Sequence, residues 1–205
     1  METLDVDEKL GFRVYETLGL IPKYIDHLGF SNEGEFISFL EGKTVLDSGS
    51  GKGGLAKQLA ILNSSAKVIS LNPRLAVRRH RGSEKSITSV IQAPKQIDIE
   101  AIQQTHDERA VAALAQAIPL EDKSVDIVLD CMGPSYYTDY EKRTDFEKMI
   151  LEYKRILRKG GEARLNIEPV KATEGSSWQE EIFKLAGFKS TRIVKGEWLV
   201  SFKLV

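Results

Sequence analysis

The chain has 205 residues, of which 41% are hydrophobic and 29% charged, which is typical of a globular domain and too apolar for a disordered one. Its formal net charge is −1, so the chain as a whole creates no field that would select nucleic acid or an anionic membrane. The single cysteine excludes an internal disulfide, and no zinc-type spacing can be assembled from the three histidines, so no metal site is expected.

The N-terminal part of the chain is predicted to be helical. The helical prediction covers residues 8–41, and its apolar contact residues are Phe12, Tyr15, Leu18, Phe36, Phe39 and Leu40. We expect this segment to lie over the strand ends as a cap. The predicted division is therefore an N-terminal helical cap, residues 1–41, and a main unit, residues 42–205, within one compact domain overall.

Strands and helices alternate through the rest of the chain. Short apolar runs predict strands, and apolar residues three or four positions apart predict helices. In chain order we predict strand Lys43–Leu46, helix Leu55–Leu62, strand Ala66–Leu71, an ambiguous element Ala110–Ala117, strand Val125–Asp130, helix Asp145–Leu157, strand Glu162–Ile167, helix Trp178–Ala186, and strands Thr191–Val194 and Trp198–Val205. This alternation predicts an α/β, doubly wound, mostly parallel seven-stranded sheet with an antiparallel C-terminal strand.

A glycine-rich turn joins the first predicted strand to the first helix. Its sequence, VLDSGSGKGG, allows positive φ and close approach of the backbone to a ligand. A Walker A loop is excluded because Lys52 is followed by glycine. Two ligand patterns and a turn without a ligand remain. The dinucleotide pattern G-x-G-x-x-G uses Gly49, Gly51 and Gly54, and the pattern acidic-x-G-x-G-x-G uses Asp47, Gly49, Gly51 and Gly53.

Asp47 favours the second pattern. A carboxylate two residues before the first glycine would repel a pyrophosphate brought close to the turn. It suits a ligand with a cationic ammonium and sulfonium, from which it can accept charge-assisted hydrogen bonds directly or through water.

The sequence resembles the class I S-adenosylmethionine-dependent methyltransferases of small-molecule type over most of residues 40–205. The similar segments follow the family's order: VLDSGSGKGG, AKVISLNP, AQAIPL followed by D-x-S-V-D-I-V, ILRKGG and LAGF. The resemblance implies S-adenosylmethionine as the cofactor. It implies that the cofactor is bound by Asp47, Ser48, Gly49, Ser50, Gly51, Gly53, Asn72, Ala115, Gln116 and Asp130.

Three features depart from the family pattern. Asn72 stands where the family usually has an acidic residue on the ribose hydroxyls, and the lost charge-assisted bond would cost about 1 to 2 kcal/mol of affinity. Leu114 stands where an acidic residue often reaches the adenine amino group, and the segment 74–113 is longer than usual. A catalytically silent methyltransferase-like binding module is therefore a second hypothesis.

The end of the fourth predicted strand is the expected place for the chemistry. In doubly wound sheets, ligands bind beyond the carboxyl ends of the strands, near the switch in strand order. Asp130 is the candidate general base or orienting residue, and holding loop N–H groups is its alternative role. Tyr136 and Tyr137 are candidates to hold a planar substrate or line the sulfonium, with ordinary packing as their alternative. Cys131 is expected to be a buried bystander.

A basic cluster raises the question of an RNA substrate. Arg74, Arg78 and Arg81 would share one helix face, which would suit a phosphate-bearing or RNA substrate. The near-zero net charge favours a solvated face instead, so a small-molecule acceptor is expected and RNA methylation stays an alternative. The acidic N-terminus and the lack of an apolar run of roughly 18 residues predict a cytoplasmic protein without membrane contact.

Overall fold

A sheet of seven strands forms the centre of the computed structural model, which describes residues 21–51, 53–71, 110–111, 113–137, 143–167, 177–195 and 199–205. Its strands are β1 (Thr44–Ser48), β2 (Lys67–Leu71), β3 (Ala110–Val111), β4 (Val125–Asp130), β5 (Leu157–Ile167), β6 (Ser190–Lys195) and β7 (Leu199–Leu204). They lie in the order β3-β2-β1-β4-β5-β7-β6.

Strand directions confirm the predicted doubly wound sheet. All neighbours from β3 to β5 are parallel, whereas β7 runs antiparallel to both β5 and β6. The strand order reverses at β1, which has β2 on one side and β4 on the other. The carboxyl ends of β1 and β4 therefore form the switch point at which such sheets bind ligands.

Helices cover both faces of the sheet. They are α1 (Ile21–Leu28), α2 (Glu33–Leu40), α3 (Gly54–Ile61), α4 (Pro134–Tyr137), α5 (Arg143–Ile156) and α6 (Ser177–Leu185). Because side chains alternate between the faces of a strand, Val45 and Ile127 pack with α1, α2 and α3, while Leu46 and Val128 pack with α5 and α6. None of these helices is long and apolar enough to cross a bilayer.

The N-terminal helices lie on one face of the sheet rather than only over the strand ends. Their helical character is confirmed for α1 and α2, but both share a hydrophobic core with β1 and β4. Arg164 of β5 fastens this layer: its guanidinium lies 3.9 Å from the Phe30 ring centroid and donates to the Leu28 carbonyl at 3.2 Å. Residues 8–20 lie outside the described residues, and the division at residues 41–42 stays a prediction.

Two predicted elements differ from the observed ones. Of the described residues of the ambiguous segment Ala110–Ala117, Ala110 and Val111 form a strand and residues 115–117 lie in a turn or bend. The glycines at 160–161, expected to separate helix from strand, lie within β5. Leu157 of β5 pairs with Val125 of β4, and Glu162 pairs with Ile127, so the register shifts between these two pairs. Such an irregularity adds residues to one strand of a pair, which explains the earlier start of β5.

Candidate functional site

The glycine loop after β1 is fastened to the end of β2. The backbone N–H groups of Gly49 and Ser50 donate to the Leu71 carbonyl at 3.1 and 3.3 Å, and the Ser50 hydroxyl donates to the same oxygen at 3.3 Å. The N–H of Gly53 donates to the Ser50 carbonyl at 3.0 Å. Three backbone N–H groups of the loop are thus engaged within the protein.

Asp47 lies at the end of β1 with its carboxylate buried. Asp47 is 1% exposed, and the hydroxyl of Tyr24 in α1 donates to its two carboxylate oxygens, at 2.8 and 2.9 Å. Burial, and next the negative charge of Asp47, raise the pKa of Tyr24 well above its ordinary value, so the phenol stays protonated as a donor. A carboxylate can accept from several donors at once. The Tyr24 contact therefore does not by itself exclude a cationic ligand.

A chain of buried hydroxyl and carboxyl groups links β1 to β4 through α5. The Tyr153 hydroxyl lies 2.7 Å from Ser48 Oγ and 2.7 Å from Asp130 Oδ2, and all three residues are fully buried. A phenol has one proton, so with Asp130 ionised Tyr153 donates to the carboxylate and accepts from Ser48. Ser48, proposed from sequence as a cofactor residue, therefore also holds the two neighbouring strand ends together.

Asp130 is closed off from solvent. Burial raises the pKa of its carboxyl to about 7, against hydrogen bonds from Tyr153, Ser135 and Gly133 that lower it. Oδ2 accepts from the Ser135 N–H at 3.1 Å. These contacts match the alternative role weighed for Asp130, that of holding the loop after β4. Its role as a general base stays a prediction. The burial of the carboxyl group argues against that role, because a substrate has to reach the group.

The loops after β1 and β4 touch through two glycines. A Cβ on Gly49 would lie 2.6 Å from the Gly133 Cα, and one on Gly133 would lie 2.3 Å from Asp130 Oδ1 and 2.4 Å from the Ser48 carbonyl oxygen. Real Cβ atoms do not approach this closely, and Gly49 also has a φ of +83°. Both positions therefore require glycine. The glycine motif predicts Gly49, whereas no sequence pattern assigns a role to Gly133.

Asn166 of β5 holds the loop after β4 in place. Asn166 accepts from the Met132 N–H through Oδ1 at 2.6 Å, and its carbonyl accepts from the Ser135 hydroxyl at 3.0 Å. No sequence pattern identifies Asn166, since its role depends on the pairing of β4 with β5.

Tyr136, in α4, is partly exposed; the side chain of Tyr137 lies outside the described part of the chain.

The other predicted site residues lie beyond these contacts. Ala115 is buried in the core and Gln116 is partly exposed, in the segment that follows β3; Leu114 beside them is partly exposed. Gly51 belongs to the loop fastened to Leu71. Outside the described residues lie Asn72, Lys52 and the arginine cluster at 74–81. The structure thus joins Asp47, Ser48, Gly49, Ser50 and Asp130 around one switch point.

Comparison with protein families decides the assignment. A sequence profile described as a methyltransferase domain matches residues 46–165, more than half of the chain, including the glycine loop and Asp130. The chain belongs to this methyltransferase family. The resemblance to class I S-adenosylmethionine-dependent methyltransferases is confirmed, and the cofactor is S-adenosylmethionine.

Solved structures share the fold. A Pyrococcus horikoshii OT3 protein is 14% identical, covers 98% of this chain and 97% of its own, and has a TM-score of 0.58. A SAM dependent methyltransferase from Aquifex aeolicus is 17% identical over 89% of this methyltransferase and 92% of its own chain, with a TM-score of 0.50. Geranyl diphosphate methyltransferase, in complex with GPP and sinefungin, is 14% identical over 84% and 77%, also at 0.50. No curated protein sequence matches.

Proposed function

We propose that this methyltransferase transfers the methyl group of S-adenosylmethionine to a small-molecule acceptor. The observation that carries the proposal is Asp47, a buried carboxylate at the end of β1 beside the switch point. A carboxylate accepts charge-assisted hydrogen bonds from a cationic ligand. The ammonium of the cofactor's amino-acid end would add a charge pair to the Tyr24 hydrogen bond, so the residues present fit this cofactor.

The other proposed cofactor contacts are inferred from where the motif residues stand in the sequence. Glycines in the loop would let the backbone approach the cofactor, since side chains there would hold it away. Asn72 would contact the ribose, and Ala115 with Gln116 would border the adenine. The residues proposed to bind the cofactor are Asp47, Ser48, Gly49, Ser50, Gly51, Gly53, Asn72, Ala115, Gln116 and Asp130.

The acceptor would bind beyond β4. The cofactor supplies an electrophilic methyl group on a sulfonium, so the protein has to position the nucleophile and, where needed, receive its proton. We assign Asp130 the orienting role, because its carboxylate binds the Ser135 N–H and the Tyr153 hydroxyl. Tyr136 and Tyr137 would border the acceptor. A small acceptor agrees with the net charge of −1, which gives a polyanion no overall attraction.

A catalytically silent binding module is the second candidate. Asn72 and Leu114 replace side chains that the family uses to hold ribose and adenine. Loss of these contacts would weaken cofactor binding. RNA methylation would depend on the arginine cluster, which lies outside the described residues.

Product formation separates the candidates. The purified protein is incubated with S-adenosylmethionine and either a fractionated small-molecule extract or total RNA, and S-adenosylhomocysteine is measured by mass spectrometry. We expect product with a small-molecule fraction, a large loss in Asp47→Asn and none in Asp145→Asn, which changes an exposed carboxylate of α5. Cofactor binding without product in any fraction supports the silent module, and product with RNA alone supports an RNA substrate.

A further inference from the structure

The segment after β3 is anchored to α5 by two side chains one helical turn apart. The backbone N–H of Ile118 donates to Glu152 Oε2 at 2.8 Å. Arg155 donates to the Ile118 carbonyl at 2.7 Å through Nη2 and to the Leu120 carbonyl at 2.7 Å through Nη1. Three backbone groups of one short segment are thus bound by an acid and a base from the same helix.

The two side chains also fix each other. Arg155 Nε and Nη2 donate to the two carboxylate oxygens of Glu152 at 2.8 and 2.9 Å, a paired arrangement that the planar guanidinium favours. Arg155 Nη1 also donates to Asp122 at 2.8 Å. Partial burial opposes ionisation of Glu152, but hydrogen bonds from Arg155 and Ile118 hold its pKa below the ordinary value. The pair is therefore ionised at neutral pH.

The anchored segment begins at the level of the glycine loop. Val111 of β3 lies beside Leu71 of β2 in register, and the Leu71 carbonyl is the group that fastens the glycine loop. Ala115 and Ile118 are each 3% exposed and belong to the core, whereas Gln116 between them is partly exposed. The anchors bind the backbone of Ile118 and Leu120, so they fix the chain two residues after Gln116.

We propose that Glu152 and Arg155 are positioning residues for adenine recognition, acting through the Ala115–Ile118 segment. This inference rests on the proposed function, in which Ala115 and Gln116 border the adenine. Neither side chain needs to touch the cofactor. Fixing the backbone in advance lowers the ordering cost of binding and selects the base whose edge fits the fixed groups.

Two arginine variants of the same helix test the proposal. Arg155→Lys keeps the charge but loses the planar fork, whereas the matched control Arg143→Lys changes an arginine of α5 that pairs with Glu181 at 2.7 Å, away from the segment. The two ligands are S-adenosylhomocysteine and S-inosylhomocysteine, which differ only at the six-position edge of the base. Calorimetry gives the dissociation constants of both ligands. Glu152→Gln serves as a second, milder variant, and its unfolding midpoint is measured to show that it folds.

We expect wild type to bind S-adenosylhomocysteine more tightly than S-inosylhomocysteine. Arg155→Lys should weaken binding of S-adenosylhomocysteine about tenfold and reduce the difference in affinity between the two ligands. Arg143→Lys should change neither. Equal weakening of both ligands in Arg155→Lys and Glu152→Gln, an unchanged adenine affinity, or no preference in wild type would each overturn the positioning role. Failure of wild type to bind S-adenosylhomocysteine at all would instead remove the proposed function on which the inference rests.

Discussion

The Tyr24 hydroxyl lies 2.8 and 2.9 Å from the two carboxylate oxygens of Asp47, and both residues are almost fully buried. This contact joins α1 to the end of β1, where the cofactor's amino-acid end is proposed to bind. Helix α1 therefore lies beside the proposed cofactor site and also belongs to the core.

Tyr24→Phe tests this contact. The change removes a hydrogen bond to a buried carboxylate while keeping the ring, so the free energy of unfolding should fall by about 1 to 3 kcal/mol. The dissociation constant for S-adenosylhomocysteine should rise several-fold because Asp47 loses the group that orients it. Denaturant unfolding and calorimetry measure the two effects, with 5′-methylthioadenosine as the control ligand because it lacks the amino-acid end. Tighter binding of S-adenosylhomocysteine would mean that Tyr24 competes with the cofactor.

Gly49→Ala tests the contact between the loops after β1 and β4. The added methyl would meet the Gly133 Cα at 2.6 Å with φ at +83°, so strain and overpacking should cost about 3 kcal/mol or more of unfolding free energy. Gly160→Ala is the matched control, since its φ is +79° and no described atom lies within 4 Å of the added Cβ. The control should cost about 1 to 2 kcal/mol. Equal losses in the two variants would show that the loops do not touch.

Asp130→Asn tests the burial of the carboxyl group. The pKa of Asp130 is about 7 in the folded chain and near 3.8 ordinarily. Because this raised value means that the folded chain binds the proton more tightly, the group's contribution to stability is fully present below about pH 4 and is lost as pH rises to about 7. Relative to the variant, wild type should lose up to about 4 kcal/mol over this range.

Denaturant unfolding of both proteins at a series of pH values gives this difference directly. The neutral amide cannot titrate, so any pH dependence shared by wild type and variant comes from other groups. A difference that stays constant from about pH 4 to about pH 7 would mean that Asp130 is solvated and ionised throughout, contrary to its burial.

Continuous apolar patterns made much of the sheet predictable. Strand β4 agrees with its prediction at both ends, because VDIVLD is buried on both faces and ends at a loop. The ambiguous element at Ala110–Ala117 has little β-branched character, and Ile118, the residue that follows it, is held by Glu152 and Arg155 of α5. A local pattern does not contain those partners.

The glycine loop was predictable because its residues are adjacent in sequence. The side-chain hydrogen bonds beside the loop join residues that are far apart in sequence: Tyr24 and Asp47 are 23 positions apart, as are Tyr153 and Asp130. Each tyrosine lies on a helix whose placement depends on packing across the sheet. For the same reason α1 and α2 were recognised as helices while their position on a sheet face was not.

Calorimetric titration of wild type and Asp47→Asn with S-adenosylhomocysteine and 5′-methylthioadenosine tests the cofactor site most directly. We predict that wild type binds both ligands and that the variant loses about tenfold to a hundredfold in affinity for S-adenosylhomocysteine alone, because only that ligand carries the ammonium. Asp145→Asn should bind as wild type does. Unchanged affinity in Asp47→Asn, or no binding by wild type at millimolar ligand, would contradict the account.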